Sequence, residues 1–104
     1  MDTYRAVIED LKRNFGRVLI FGSRARGDAL KTSDLDIVVV DPSFRGMKYW
    51  ERIRAVRKTI YHILERHPID VDIIALTPEE FEELQKSRTN IIGYTTERGE
   101  LVET

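Results

Sequence analysis

The sequence predicts an α+β domain in which helices pack on a small mixed or antiparallel sheet of three to four strands. Three observations carry that expectation. The segments 18–21, 35–40 and 69–76 are short apolar runs rich in Val and Ile, too short for helices and suited to strands. Between the second and third, Tyr49, Ile53, Val56, Ile60 and Ile63 or Leu64 recur at helical spacing and make one stripe. Thr77-Pro78-Glu79-Glu80 is a capping box with proline at the first helical position, so another helix starts at Pro78.

Taken in order, Asp2 or Thr3 can cap a first helix in which Tyr4, Val7, Ile8 and Leu11 face one way. That helix runs to about Asn14, and Gly16 suits the left-handed position beyond its end. The run 18–21 reads as a strand buried on both faces and stopped at Gly22. The stretch from Ser23 to Ser33 is polar and should hold one helical turn. Leu35 to Val40 is the second strand, ended by Asp41-Pro42, with two acidic residues where it begins. A long amphipathic helix over 47–66 then covers the sheet until His67-Pro68 stops it. The run 69–76 makes the third strand. In the tail, 91–98 reads as helical despite Gly93 and two threonines, Gly99 ends that helix, and 100–103 adds an edge strand.

With 104 residues there is material for one core, so one domain is expected over 1–104. Hydrophobic residues at 41% and charged residues at 34% describe a globular chain with a heavily charged surface. No apolar run approaches the roughly 20 residues needed to span a bilayer, and Met1-Asp2-Thr3-Tyr4 does not start like a signal peptide. A soluble, cytoplasmic protein with no membrane partner is the expectation. The absence of cysteine removes disulfides and thiolate metal sites, and two histidines are too few for a structural zinc. Any metal must therefore be held by oxygen. A net charge of -1 argues against direct nucleic-acid binding. Between Arg45 and His67 seven basic residues stand against two Glu, whereas seven Glu stand against three basic residues from Glu79 onward. Such polarity could dock a partner or RNA on the basic helix, although the outer face of an amphipathic helix is more often only solvated.

Chemistry concentrates in two places. In Asp34-Leu35-Asp36, residues two apart on a strand look the same way, and paired carboxylates repel unless a cation lies between them. Magnesium suits such a pair because it takes hard oxygen ligands and shares them with phosphates. Alone, the pair would be read as a turn cap and an exposed strand residue. It is not alone, because Gly22-Ser23 follows the preceding strand. Glycine there permits close backbone approach, the next turn offers amides and a hydroxyl to an anion, and Arg24 and Arg26 add positive charge. Antiparallel pairing of the two strands would bring a phosphate cradle and a carboxylate pair together.

Gly22-Ser23-Arg24-Ala25-Arg26-Gly27 followed by Ser33-Asp34-Leu35-Asp36 resembles the Gly-Ser, ten residues, Asp-x-Asp signature of the DNA polymerase beta-like nucleotidyltransferases. Arg24 to Ser33 is the ten-residue spacer. The sequence resembles above all the stand-alone minimal nucleotidyltransferases of prokaryotes, which are about this long. The resemblance implies the polymerase beta-like fold and a third carboxylate on a later strand. Asp70 and Asp72 compete for that role, and alternation puts both on one face. Asp72 is preferred, because similar sequences place the acid directly before a strand core such as Ile73-Ile74 and a helix cap such as Thr77-Pro78. Asp70 is then a residue at the start of the strand.

The family mechanism so implied uses two Mg2+ ions, for which Mn2+ could substitute, held by Asp34, Asp36 and Asp72. Asp72 would also accept the proton of the acceptor hydroxyl. Gly22, Ser23, Arg24 and Arg26 would bind the phosphates of ATP or another nucleoside triphosphate. Enzymes that look like this are often antitoxins that transfer AMP to a tyrosine of a HEPN ribonuclease toxin, so a HEPN-domain protein is the implied partner. Two alternatives are a non-catalytic antitoxin with a vestigial nucleotide site and a small-molecule adenylyltransferase. Arg57, four residues, then His62 has the arginine–histidine spacing of HEPN ribonucleases themselves, but Leu64 replaces their tyrosine and the chain is not all-helical. His62 is accordingly expected on a helix surface.

Overall fold

In the computed structural model, which describes residues 2–22 and 35–104, the carboxylate of Asp2 caps α1 (Thr3–Asn14) by accepting from the Tyr4 amide at 2.9 Å. The segment 23–34, with its expected helical turn, lies outside the described residues. The chain continues through β1 (Arg17–Phe21), β2 (Leu35–Val40), a 3-10 turn (Pro42–Phe44) and α2 (Tyr49–Arg66). It ends with β3 (Val71–Leu76), α3 (Pro78–Gln85), α4 (Ile91–Glu97) and β4 (Val102–Glu103). The expected capping box at α3 is formed: Thr77 Oγ accepts from the Glu80 amide at 3.2 Å, and Glu80 Oε1 accepts from the Thr77 amide at 2.8 Å.

The four strands form one mixed sheet in the order β3-β2-β1-β4. β1 is antiparallel to β2 and to β4, whereas β2 and β3 run parallel. The parallel pair needs a crossover, and the 18-residue α2 supplies it. Alternation then sorts the sheet's side chains into two cores. Leu35, Ile37 and Val39 of β2, Val71 and Ala75 of β3 and Val18 of β1 pack with Val7, Leu11, Val56, Ile60 and Phe44 beneath α1 and α2. On the other face Leu19, Val38, Val40 and Leu76 pack against Phe81 of α3 and Ile92 of α4. The unbroken apolar runs of β1 and β2 are explained by this double coverage.

Two local expectations are corrected. Gly16 is not left-handed; its amide donates to Asp41 Oδ1 at 2.7 Å, and a Cβ there would lie 3.1 Å from the Val40 carbonyl oxygen. Close approach to the end of β2, not a left-handed backbone, is what favours a glycine here. Tyr49 does not join the buried stripe of α2, whose buried residues are Arg52, Val56 and Ile60. Its hydroxyl instead accepts from the Ala75 amide at 3.2 Å on the open edge of β3. Arg52 donates to the Ala75 carbonyl at 3.1 Å and Arg57 to the Val71 carbonyl at 2.9 Å along the same edge. Long polar side chains of α2 thus occupy edge groups that would otherwise be free to recruit another strand.

Arg52 also reaches Glu80, at 2.6 Å and 3.3 Å to its two carboxylate oxygens, and so fastens α2 to α3. The Arg52 guanidinium, helped by the Thr77 amide, holds the Glu80 carboxyl below its usual value. A depressed carboxyl contributes stability that is complete above the ordinary glutamate range and is lost as pH falls through the lowered value. Urea unfolding at pH 7 and at about pH 3 should therefore show a larger acid loss for the native chain than for Glu80→Gln. Equal losses would remove this ion pair from the account.

Candidate functional site

Each strand delivers one part of a corner at the same end of the sheet. β2 begins there, β3 begins beside it in parallel, and β1 ends there because it runs the opposite way. The register places Asp36 level with Asp72 on β3 and with Phe21 on β1. Neighbouring strands are about 4.8 Å apart, so two carboxylates at matched positions on one face stand within reach of a shared cation. Asp36 is half-buried and Asp72 is exposed. Both project from the face that carries α3 and α4. Those helices bury the far ends of the strands at Val38, Val40 and Leu76, while Phe21 and Ile74 near the corner are only half-covered. Among the described residues, the helices therefore leave the end of the face that carries the carboxylates as an uncovered shelf of the sheet.

Gly22 closes the corner. Its backbone is left-handed, with φ +77°, and a Cβ built on it would lie 2.4 Å from Asp36 Oδ2. Any side chain at position 22 would have to displace that carboxylate, so the glycine serves close approach as well as the turn. The sequence signal for this was a glycine directly after a buried strand, and which carboxylate it approached required the β1–β2 register.

Of the residues singled out from the sequence, Gly22, Asp36 and Asp72 come together. Ser23, Arg24, Arg26 and Asp34 lie outside the described residues. Among the described residues no group of three or more His, Asp or Glu side chains is arranged to hold a metal, so the corner contributes two carboxylates from the described chain. Asp70, the competing acid, precedes β3 and uses its backbone carbonyl to accept from the Leu35 amide at 2.9 Å, which extends the ladder. Asp72 is the acid level with Asp36. His62 is on the surface of α2, with Nε2 3.9 Å from Asp10 Oδ2 and away from the corner. No helix among the described residues is long and apolar enough to cross a membrane.

Comparison with solved structures finds the same fold in other proteins. A protein of Sulfolobus solfataricus described as a candidate nucleotidyltransferase superposes with a TM-score of 0.58 and 32% identity, over 78% of this chain and 69% of that one. Arabidopsis thaliana BolA1 superposes with a TM-score of 0.61 at 21% identity, covering 77% of this chain and 96% of that one. The BolA domain of Arabidopsis thaliana SufE1 gives 0.62 at 20%, with the same coverage of 77% and 96%. At those identities the two BolA structures share the architecture alone. No curated protein sequence matches significantly. The family model for the nucleotidyltransferase domain matches residues 4–102, which includes β1 to β3, Gly22 and all the candidate carboxylates, and the chain belongs to that family.

Proposed function

We propose that the chain transfers a nucleoside monophosphate, AMP from ATP, to an acceptor hydroxyl at the corner formed by Gly22, Asp36 and Asp72. The observation that carries the reading is the strand register that sets Asp36 and Asp72 side by side with Gly22 against Asp36. An oxygen-only donor pair suits Mg2+, and Asp34, Asp36 and Asp72 would hold it, with Mn2+ as a substitute. When bound, the ions supply charge neutralisation of the triphosphate and polarisation of the reacting oxygens. Asp72, exposed on the shelf, is the group that would take the proton of the acceptor hydroxyl. Ser23 and the amide following Gly22 would bind the β- or γ-phosphate, helped by Arg24 or Arg26, and pyrophosphate is the leaving group. The acceptor we propose is a tyrosine of a HEPN-domain toxin, which makes the chain an AMPylating antitoxin. The support for that acceptor is the resemblance to the minimal nucleotidyltransferases, together with the exposure of Asp72.

The test is incubation with α-labelled ATP, Mg2+ and the HEPN partner. A covalent label on the partner, lost when the acceptor tyrosine is replaced by phenylalanine, is the expected result. A partner that is neutralised without becoming labelled would favour contact inhibition instead.

Gly22→Ala makes a separate prediction for the same corner. Left-handed backbone disfavours alanine by about 1–2 kcal/mol, and the new methyl would drive the Asp36 carboxylate from its place. Transfer rate should fall much further than the melting temperature. A variant with normal transfer would mean that the position of Asp36 does not matter.

A further inference from the structure

The outer face of α2 has features that neither the sheet nor the catalytic corner uses. Trp50 is 58% exposed and Tyr61 64% exposed, the two most open large hydrophobic residues among those described. They stand eleven positions apart, about 16 Å along the helix. Helical spacing places Arg54 between them and Lys58 beside it. Trp50, Glu51, Arg54, Ala55 and Lys58 line a shallow groove of about 240 Å3. Elsewhere Arg17, Arg45, Arg52, Arg88 and Arg98 each pair with a glutamate. The side chains of Arg54 and Lys58, like those of Arg5, Lys12 and Arg66, have no hydrogen bond or ion pair among the described residues, and they alone of these line the groove beside Trp50.

We propose that this face is a docking surface for an acidic segment of a partner protein, with an apolar side chain of that segment seated in the groove against Trp50. Exposed Trp, Tyr and Arg are the residue types that dominate protein interfaces, where burial of their large side chains supplies most of the binding energy. Two cations without partners ask for carboxylates. A second copy of the chain bound through the same face would bring one Glu51 for each pair of Arg54 and Lys58, a poorer charge match than an acidic segment, so the symmetric dimer is disfavoured. Single-stranded RNA is the weaker fit, because two cations release few counterions and Glu51 lines the groove. The surface belongs to the helix layer opposite the Asp36–Asp72 shelf, so occupancy leaves the shelf open. This inference goes beyond the proposed transferase activity and stands or falls without it.

Trp50 is the only tryptophan in the chain, so its emission reports the groove directly. Random dodecapeptides displayed on phage would be selected on the folded protein and the enriched peptides synthesised. The expected result is enrichment of Asp and Glu flanking Leu or an aromatic residue, with a saturable change in Trp50 emission. Arg54→Glu/Lys58→Glu should weaken that binding by about tenfold or more with unchanged circular dichroism, since both side chains are exposed. Trp50→Phe, read by calorimetry, should also weaken it. Peptides without acidic enrichment, equal binding by the charge-reversed protein, or a dodecamer of uridylate that saturates the signal and excludes the peptides would each overturn the proposal.

Discussion

Asp36→Asn should lower Mg2+-dependent nucleotide transfer by about 100-fold or more, the scale on which removal of one preorganised electrostatic group acts. The effect follows from position. Asp36 is the middle member of the corner, level with Asp72 on one side and pressed by Gly22 on the other. Asparagine keeps the size and some of the hydrogen bonding but removes the charge on which a divalent cation depends. Stability should change far less than activity, because asparagine is nearly isosteric with the half-buried aspartate. Initial rates with labelled ATP, taken beside a thermal melt, separate the two effects. Loss of activity together with collapse of the fold would make Asp36 a structural residue.

Gly93→Ala should produce the largest loss of stability away from the corner, about 3 kcal/mol or more, at the upper end for added volume in a packed interior. Gly93 lies in α4, where a Cβ would fall 1.6 Å from the Ser87 carbonyl oxygen and 2.9 Å from that of Leu84. These are backbone atoms and cannot swing aside. Asn90 ties the same turn together by donating to the Leu84 and Ser87 carbonyls at 2.9 Å and 3.2 Å, while its own Oδ1 accepts from the Gly93 amide. A methyl group at position 93 therefore pushes α4 off α3 and uncovers Phe81 and Ile92. Chemical denaturation read by circular dichroism checks it, and a Gly93→Ala protein as stable as the parent would show that α4 can retreat without loss.

Gly93 also illustrates what could not be seen in the sequence. Read along the chain it is a weak point in a short helix, because helix propensity measures only the helix itself. Its purpose is contact with a loop carbonyl six residues back. Tyr49 misled for a related reason: its spacing fits the apolar stripe, but its hydroxyl is needed at an edge amide. Patterns of hydrophobicity do not report where a sheet ends. The elements themselves were legible because the capping residues Asp2 and Thr77 and the β-branched runs are local signals.

The corner was legible in part. Alternation alone puts Asp34 with Asp36, and Asp70 with Asp72, on shared faces. It cannot align one strand against another, and a slip of one residue in β3 would have turned Asp72 to the opposite face. The parallel β2–β3 register supplies that alignment, with Leu35 opposite Val71 and Asp36 opposite Asp72.

The most direct measurement is a crystal structure of the chain with Mn2+ and a non-hydrolysable ATP analogue, located by anomalous scattering. The account requires a manganese peak within bonding distance of both Asp36 and Asp72, with the triphosphate beside Gly22. Manganese held elsewhere, or an Asp72 carboxylate turned away from the ion that Asp36 binds, would contradict it.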